Sequence, residues 1–319
     1  MQATRALRAG ARGLHTVVFM RHGQSTWNLE NRFTGWVDCP LTPLGVQEAQ
    51  RAGEALAKER FEFDVAYTSV LQRAIKTCWT VLDVTQQHFV PLRQDWRLNE
   101  RHYGALQGLN KAETTAKHGE EKVTLWRRSY DVPPPAYDAS HPFYVGGERR
   151  YAGQDPKALP ATESTKTCGD RVVPFWLNTL QPLVKEGKRL LVVAHGNSLR
   201  ALIKHIDGFS NEDIVSLNLP TGVPLVYQFD AAFKPVPQAG RMDGLSGRYV
   251  GDLEAIAAEI NKVKNRACRR AAARGGRAAE PPLGGRVGGP RLSPACPHTL
   301  PPNSSSSPPP PPAEAKAKK

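Results

Sequence analysis

Apolar residues along the chain fall into short unbroken runs, each followed by a stretch of helical spacing. Thr16 to Met20 is apolar and β-branched and stops at Arg21, which predicts a buried strand. Thr42 followed by Pro43 supplies an N-cap and first-turn pair for a helix reaching about Lys58, in which Leu44, Ala49, Ala52, Ala55 and Leu56 recur near helical spacing. Asp64 to Thr68 repeats the strand signal and Val70 to Asp83 the helix signal. Leu190 to Ala194 is the most strongly apolar strand candidate, with a helix predicted over Ser198 to Ile206 behind it. Strands alternating with helices predict an α/β fold, a three-layer sandwich with a mostly parallel central sheet buried on both sides. In such sheets, polar residues just beyond the carboxyl ends of the strands line the ligand crevice.

Composition sets the limits of this domain. The chain has 319 residues, 40% of them hydrophobic, which is enough for a core of domain size. No run of eighteen or so uncharged apolar residues occurs, which excludes a membrane-spanning helix. Near Ala267 the pattern changes. Beyond it lie twelve of the 27 prolines, Gly pairs, Ser304 to Ser307 and Pro308 to Pro312, so residues 267–319 are expected to be a low-complexity, disordered tail. Residues 16–266 then form one large domain, preceded by an N-terminal extension, residues 1–15. In Met1 to Thr16, Arg5, Arg8 and Arg12 stand at i, i+3 and i+7 without an acid, a pattern that resembles an organelle presequence, whereas Gly10, Gly13 and the lack of serine fit an ordinary extension. The expected location is the cytoplasm, with a mitochondrion or other organelle as the alternative.

Charge and cysteine content exclude further classes. The formal net charge is +13, but residues 1–20 carry +3 and residues 267–319 carry +7, so the body is nearly balanced. No basic face for specific nucleic acid is needed to explain it. Cys39, Cys78, Cys168, Cys268 and Cys296 are odd in number, widely spaced and in no CxxC pattern, which disfavours disulfides and structural zinc and suits a reducing compartment. There is no GxxxxGK[ST] loop and no clustered metal-ligand pattern. Trp27, Trp36, Trp79, Trp96, Trp126 and Trp176 lie beside apolar runs and are expected in core and wall packing.

Two predicted strand ends carry nearly the same signature: Arg21-His22-Gly23 after Met20, and His195-Gly196-Asn197 after Ala194. Glycine beside each histidine permits a tight turn and the approach of a bulky anion, so the pair can face one phosphate. With Arg73 on the next predicted helix, and Ser25 and Asn28 after the first histidine, the set holds a nucleophile, cationic donors and no metal ligands. That is a phosphoryl-transfer site. Neighbouring cations oppose protonation of His22, leaving a neutral nucleophile that can form a phosphohistidine, while His195 beside the same anion is expected to be protonated.

The segments RHGQSTWN (Arg21 to Asn28), NRFTGW (Asn31 to Trp36), TSVLQRA (Thr68 to Ala74), RLNERHYGALQGLNK (Arg97 to Lys111), WRRSYDVPPP (Trp126 to Pro135) and AHGNSLR (Ala194 to Arg200) resemble cofactor-dependent phosphoglycerate mutase of the histidine phosphatase superfamily. The resemblance spans about Thr16 to Asp252. It implies metal-independent interconversion of 3- and 2-phosphoglycerate, primed by 2,3-bisphosphoglycerate; a bisphosphoglycerate synthase/phosphatase or a broader phosphatase of the superfamily is the alternative. It implies that Glu100 donates and accepts the substrate hydroxyl proton, apart from the phosphate cations. Arg101, Tyr103, Lys111, Arg127 and Arg128 become anion contacts, and Thr34 and Gly35 backbone contacts, with Gly196 and Asn197 beside His195. Arg149-Arg150 is left less certain. About 101–165 becomes a cap inserted over the crevice, which excludes water. Family analogy also implies a homo-oligomer, a dimer or tetramer.

Three departures stand out. Gln24 occupies a position usually Glu in the family. Gly35 matches the mutases, where the bisphosphoglycerate-synthesising relative has Ser, but Ala105 is shared with that relative. Ala315 to Lys319, AKAKK, resembles the family's closing tail, yet about Ala267 to Pro312 separates it from the domain.

Overall fold

The computed structural model describes residues 14–261. The expectations for the N-terminal extension, the presequence and the tail beyond residue 266 lie outside those residues. Each apolar run named above forms a strand. β1 is His15–Arg21, β2 Val65–Thr68, β3 Leu92–Gln94, β4 Leu190–Ala194, β5 Pro224–Phe229 and β6 Arg248–Tyr249. The sheet order is β3-β2-β4-β1-β5-β6. The pairs β2/β3, β2/β4 and β1/β4 are parallel, while β5 runs antiparallel to both β1 and β6, so the sheet is mixed with a parallel half.

Side chains alternate across β1, and this builds two cores. Val17 and Phe19 pack with Val172, Phe175, Leu199 and Leu202 on one face, and Val18 and Met20 with Ala52, Leu56, Cys78 and Val81 on the other. The sheet is thereby covered on both sides, as the unbroken apolar strands require.

The helices include α1 (Thr26–Leu29), α2 (Pro43–Lys58), α3 (Gln72–Val84), α4 (Lys111–His118), α5 (Glu120–Arg128), α6 (Thr165–Phe175), α7 (Gln181–Lys185), α8 (Gly196–Asp207) and α9 (Asn211–Ser216), and residues 253–261 are helical as well. Thr42 caps α2: its hydroxyl accepts from the Gly45 N–H at 3.0 Å and stands 3.0 Å from Gln24 Oε1. α8 begins two residues earlier than its spacing suggests, at Gly196, with His195 as its N-cap.

The segment 101–165 contains α4, α5, short 3₁₀ turns and irregular backbone. Its two ends meet, since the Glu163 N–H donates to the His102 carbonyl and the His102 N–H to Glu163 Oε2. Trp36 and Trp176 are fully buried as expected, but Trp79 is 58% exposed. It stands on α3, whose core face is taken by Ala74, Cys78, Val81 and Leu82. Among the described residues no helix is long and apolar enough to cross a membrane.

Candidate active site

The parallel pairing of β1 with β4 aligns Arg21 with Ala194, so both strands end at one level. His22 and His195 follow, their ring centroids 4.9 Å apart and inclined at 61°. A hydrogen bond from the His22 N–H to the Ala194 carbonyl, 3.0 Å, joins the two chain ends directly. His22 Nδ1 lies 2.6 Å from the Gly23 carbonyl. A carbonyl can only accept, so Nδ1 carries the hydrogen and the lone pair of the neutral ring sits on Nε2. Burial, then Arg73 and Arg21, hold the His22 pKa well below the ordinary imidazole value. The His22 ring is therefore neutral.

His195 Nε2 pairs with Ser69 Oγ at 2.7 Å, and its Nδ1 is buried without a partner. Its pKa is also driven well down, by burial and then by Arg73 and His22. Burial and positive neighbours keep this ring neutral, and a bound anion would act in the opposite direction, which is the condition under which protonation of His195 is expected.

Arg21 and Arg73 are anchored by their outer nitrogens. Arg21 Nη1 donates to the Leu219 carbonyl at 2.9 Å, while Arg73 Nη1 and Nη2 donate to the carbonyls of Val37 and Gly35, both at 2.8 Å. The Nε of each, and that of Arg200, is buried with no acceptor in the protein. Such fixed, charged donors are the type of group that can hold an anion.

A cavity of about 170 Å³ opens over His22, lined by Arg21, His22, Asn28, Arg32, Thr34, Gly35, Arg73, Glu100, Tyr103, Lys111, Arg127, Arg128, Gly196, Asn197 and Arg200, while His195, fully buried, is not among the lining residues. The segment 101–165 supplies Tyr103, Lys111, Arg127 and Arg128. Burial lowers the Lys111 pKa to about 8. Tyr103 is also lowered to about 8: burial raises it, but Arg101 and Lys111 pull it down further. Arg200 is lowered to about 10, by burial and by Arg128.

Several expectations are corrected. Ser25 does not line the cavity: it is fully buried, and its hydroxyl accepts from Asn28 N–H to cap α1. Arg101 is also not among the lining residues; its guanidinium lies 4.5 Å from the Tyr103 ring, and its Nε and Nη1 are buried with no acceptor in the protein. Glu100 is not set apart from the cations. Its Oε1 accepts from the N–H groups of Arg101 at 2.8 Å and Asn197 at 3.0 Å, and it shares the cavity with Arg21. Gly23 serves the packing of backbone on backbone: a Cβ there would stand 2.1 Å from the Gly45 carbonyl oxygen. Arg150 lies outside the cavity, ion-paired to Asp38 and Glu148.

Arg32 and Arg200 were given no role by the sequence reading, although both stand inside quoted motifs. Arg200 lies three residues after Asn197 on α8, one helical turn, and donates to Asn197 Oδ1 at 2.7 Å. That spacing was the available signal.

Residues 17–144 match the model of the histidine phosphatase superfamily (branch 1). The fold is similar to YhfR of Bacillus stearothermophilus, at 26% identity and a TM-score of 0.52 over 69% of this chain and 93% of that one. It is similar too to phosphoglycerate mutase from Bacillus anthracis, at 22% identity and 0.50 over 75% and 92%. A mycobacterial glucosyl-3-phosphoglycerate phosphatase matches at 23% identity and 0.51 over 67% and 92%. His22 and His195 stand at the ends of parallel strands, and the first, His22, falls inside the matched range.

Proposed function

We propose that this chain is a 2,3-bisphosphoglycerate-dependent phosphoglycerate mutase that interconverts 3- and 2-phosphoglycerate through a phosphohistidine at His22. One observation carries the reading: two groups of cations share one cavity. Arg21 and Arg73 flank the histidine pair, and Lys111, Arg127, Arg128 and Arg200 line the same cavity. A simple phosphatase needs only the first group. The second suits a substrate bearing a carboxylate and, in the bisphosphate, a second phosphate.

The residues present fit 2,3-bisphosphoglycerate, because the buried Nε groups of Arg21, Arg73 and Arg200 lack acceptors in the protein. When bound, the bisphosphate supplies the phosphoryl group. His22 Nε2 would then be the nucleophile toward phosphorus, the electron pair of the broken P–O bond passing to the ester oxygen, and Arg21, Arg73 and His195 would stabilise the charge of the transferring group. Glu100 gives a proton to the departing oxygen and recovers one from the hydroxyl that later attacks the phosphohistidine. Lys111, Arg127 and Arg128 hold the remaining anionic groups while the sugar acid reorients, and the cap excludes water that would otherwise hydrolyse the intermediate.

The same reading carries a homo-oligomer and a cytoplasmic location. Light scattering of the purified chain and imaging of a reporter fused to Met1–Thr16 test these two points.

The deciding experiment is an assay of 3-phosphoglycerate conversion with and without catalytic 2,3-bisphosphoglycerate, with inorganic phosphate followed in parallel. Primed isomerisation faster than phosphate release, with an acid-labile phosphate lost in His22→Ala, is the expected result. Phosphate release without isomerisation assigns the chain to the phosphatases, a reading favoured by the phosphatase among the similar solved structures.

A further inference from the structure

The backbone that carries Glu100 is held from outside the cavity. Its carbonyl accepts from Trp36 Nε1 at 2.6 Å and from Arg171 Nη2 at 2.9 Å. Arg171, on α6, commits every guanidinium N–H. Nη1 donates to the carbonyls of Arg97 at 2.7 Å and Asn99 at 3.1 Å; Nε and Nη2 donate to the two carboxylate oxygens of Glu163 at 2.7 and 2.8 Å. Glu163 Oε2 also accepts from the His102 N–H at 2.8 Å, two residues past Glu100. The two side chains are only 8% and 3% exposed, and neither lines the cavity.

A buried ion pair is weak evidence for stability, because desolvation offsets much of the attraction. What this pair does is geometric. The run from Arg97 to His102 includes only a 3₁₀ turn at its start, so it lacks a strand ladder or helix to fix it. Arg171 takes three of its carbonyls, and Glu163 takes the N–H of His102, two residues past Glu100. The planar guanidinium admits one arrangement of these groups, a constraint that an ammonium cannot reproduce.

We infer that Arg171 and Glu163 are positioning residues which fix the Glu100 carboxyl for proton transfer, and this rests on the reading in which Glu100 is the acid. As the P–O bond breaks, its electron pair passes to the ester oxygen, which takes the proton from Glu100. An alkyl ester needs that proton. p-Nitrophenyl phosphate does not, since its leaving oxygen is stable as an anion. The pair therefore controls the rate on phosphoglycerates and leaves the transfer from p-nitrophenyl phosphate to His22 untouched.

The test uses the full chain and two variants, Arg171→Lys and Glu163→Gln. Primed 3-phosphoglycerate isomerisation gives kcat and KM, and the single-turnover burst of p-nitrophenolate gives phosphoryl transfer to His22. The expected result is a kcat for isomerisation lower by about 10²-fold, the scale of a misplacement near 1 Å, with KM nearly unchanged and the burst rate of wild type retained. A burst of normal amplitude also shows that the variant is folded around its site. Equal losses on both substrates, or no loss on either, overturn the inference while the mutase reading stands. Wild-type protein with a burst but no isomerisation overturns the mutase reading and the inference with it.

Discussion

His22 and its neighbours carry two opposite expectations about pH. The pKa of His22 is lowered, so its reactive neutral form persists below the ordinary imidazole range, and kcat/KM is expected not to fall as pH drops from 8 to 6 through His22 protonation. On the alkaline side the sign reverses. Lys111 loses its positive charge and Tyr103 gains a negative one as pH rises through about 8, and both changes remove positive potential from the cavity. KM for phosphoglycerate is therefore expected to rise above pH 8. Lys111→Met should raise KM at pH 7 and flatten that rise, measured as a KM profile from pH 6 to 9.5; a variant with the wild-type profile would remove Lys111 from anion binding. A third expectation concerns the unpaired donor: Arg200→Gln should weaken the bisphosphate more than the monophosphate, by about tenfold for one lost charge-assisted hydrogen bond.

At the scale of elements, the loop after β1 and the start of α2 meet through two glycines. A Cβ on Gly23 would lie 2.1 Å from the Gly45 carbonyl oxygen, and one on Gly45 would lie 2.1 Å from that of Gln24. Neither contact relaxes by a side-chain rotation, so Gly23→Ala must shift backbone directly beside His22. It is expected to cost about 1–3 kcal/mol as overpacking and to abolish the phosphohistidine. Thr42→Ala, which removes the α2 cap, should cost about 1 kcal/mol while leaving phosphohistidine formation intact. Thermal melts paired with acid-labile phosphate counts check both; a Gly23→Ala protein that still phosphorylates would show that the loop yields. These two positions also mark what was legible in the sequence. The Thr42-Pro43 start and the apolar run to Met20 obey local rules, so α2 and β1 could be read directly. The contact between Gly23 and Gly45 joins residues 22 apart in sequence, which no local pattern records. The role of Ser25 failed for a related reason: a hydroxyl near a catalytic histidine and a hydroxyl that caps a four-residue helix look the same until the backbone is placed.

Across the whole molecule β1, β2 and β4 were readable because they are buried, largely apolar runs. The parallel edge strand β3, Leu92-Arg93-Gln94, is largely exposed and was not, nor were the antiparallel β5, although buried, and β6, only two residues long. The cap was readable only by resemblance, since 3₁₀ turns and single contacts such as Glu163 to His102 leave no periodicity. Charge was read as an overall sum of +13, most of it in residues 1–20 and 267–319. That sum hid the feature that matters, a cavity in which Arg21, Arg32, Arg73, Lys111, Arg127, Arg128 and Arg200 face Glu100 as the one carboxylate among its lining residues. Such a concentration within a Debye length of about 10 Å at 0.1 M salt draws in polyanions faster than diffusion alone and is screened as salt rises. Raising NaCl from about 20 to 300 mM should therefore reduce kcat/KM, by about tenfold for phosphoglycerate. The slope should be steepest for the bisphosphate, intermediate for phosphoglycerate and shallowest for p-nitrophenyl phosphate, following ligand charge. Arg128→Gln removes one cation and should make each slope shallower. Equal slopes for the three ligands would mean that the salt effect arises from charge outside the cavity.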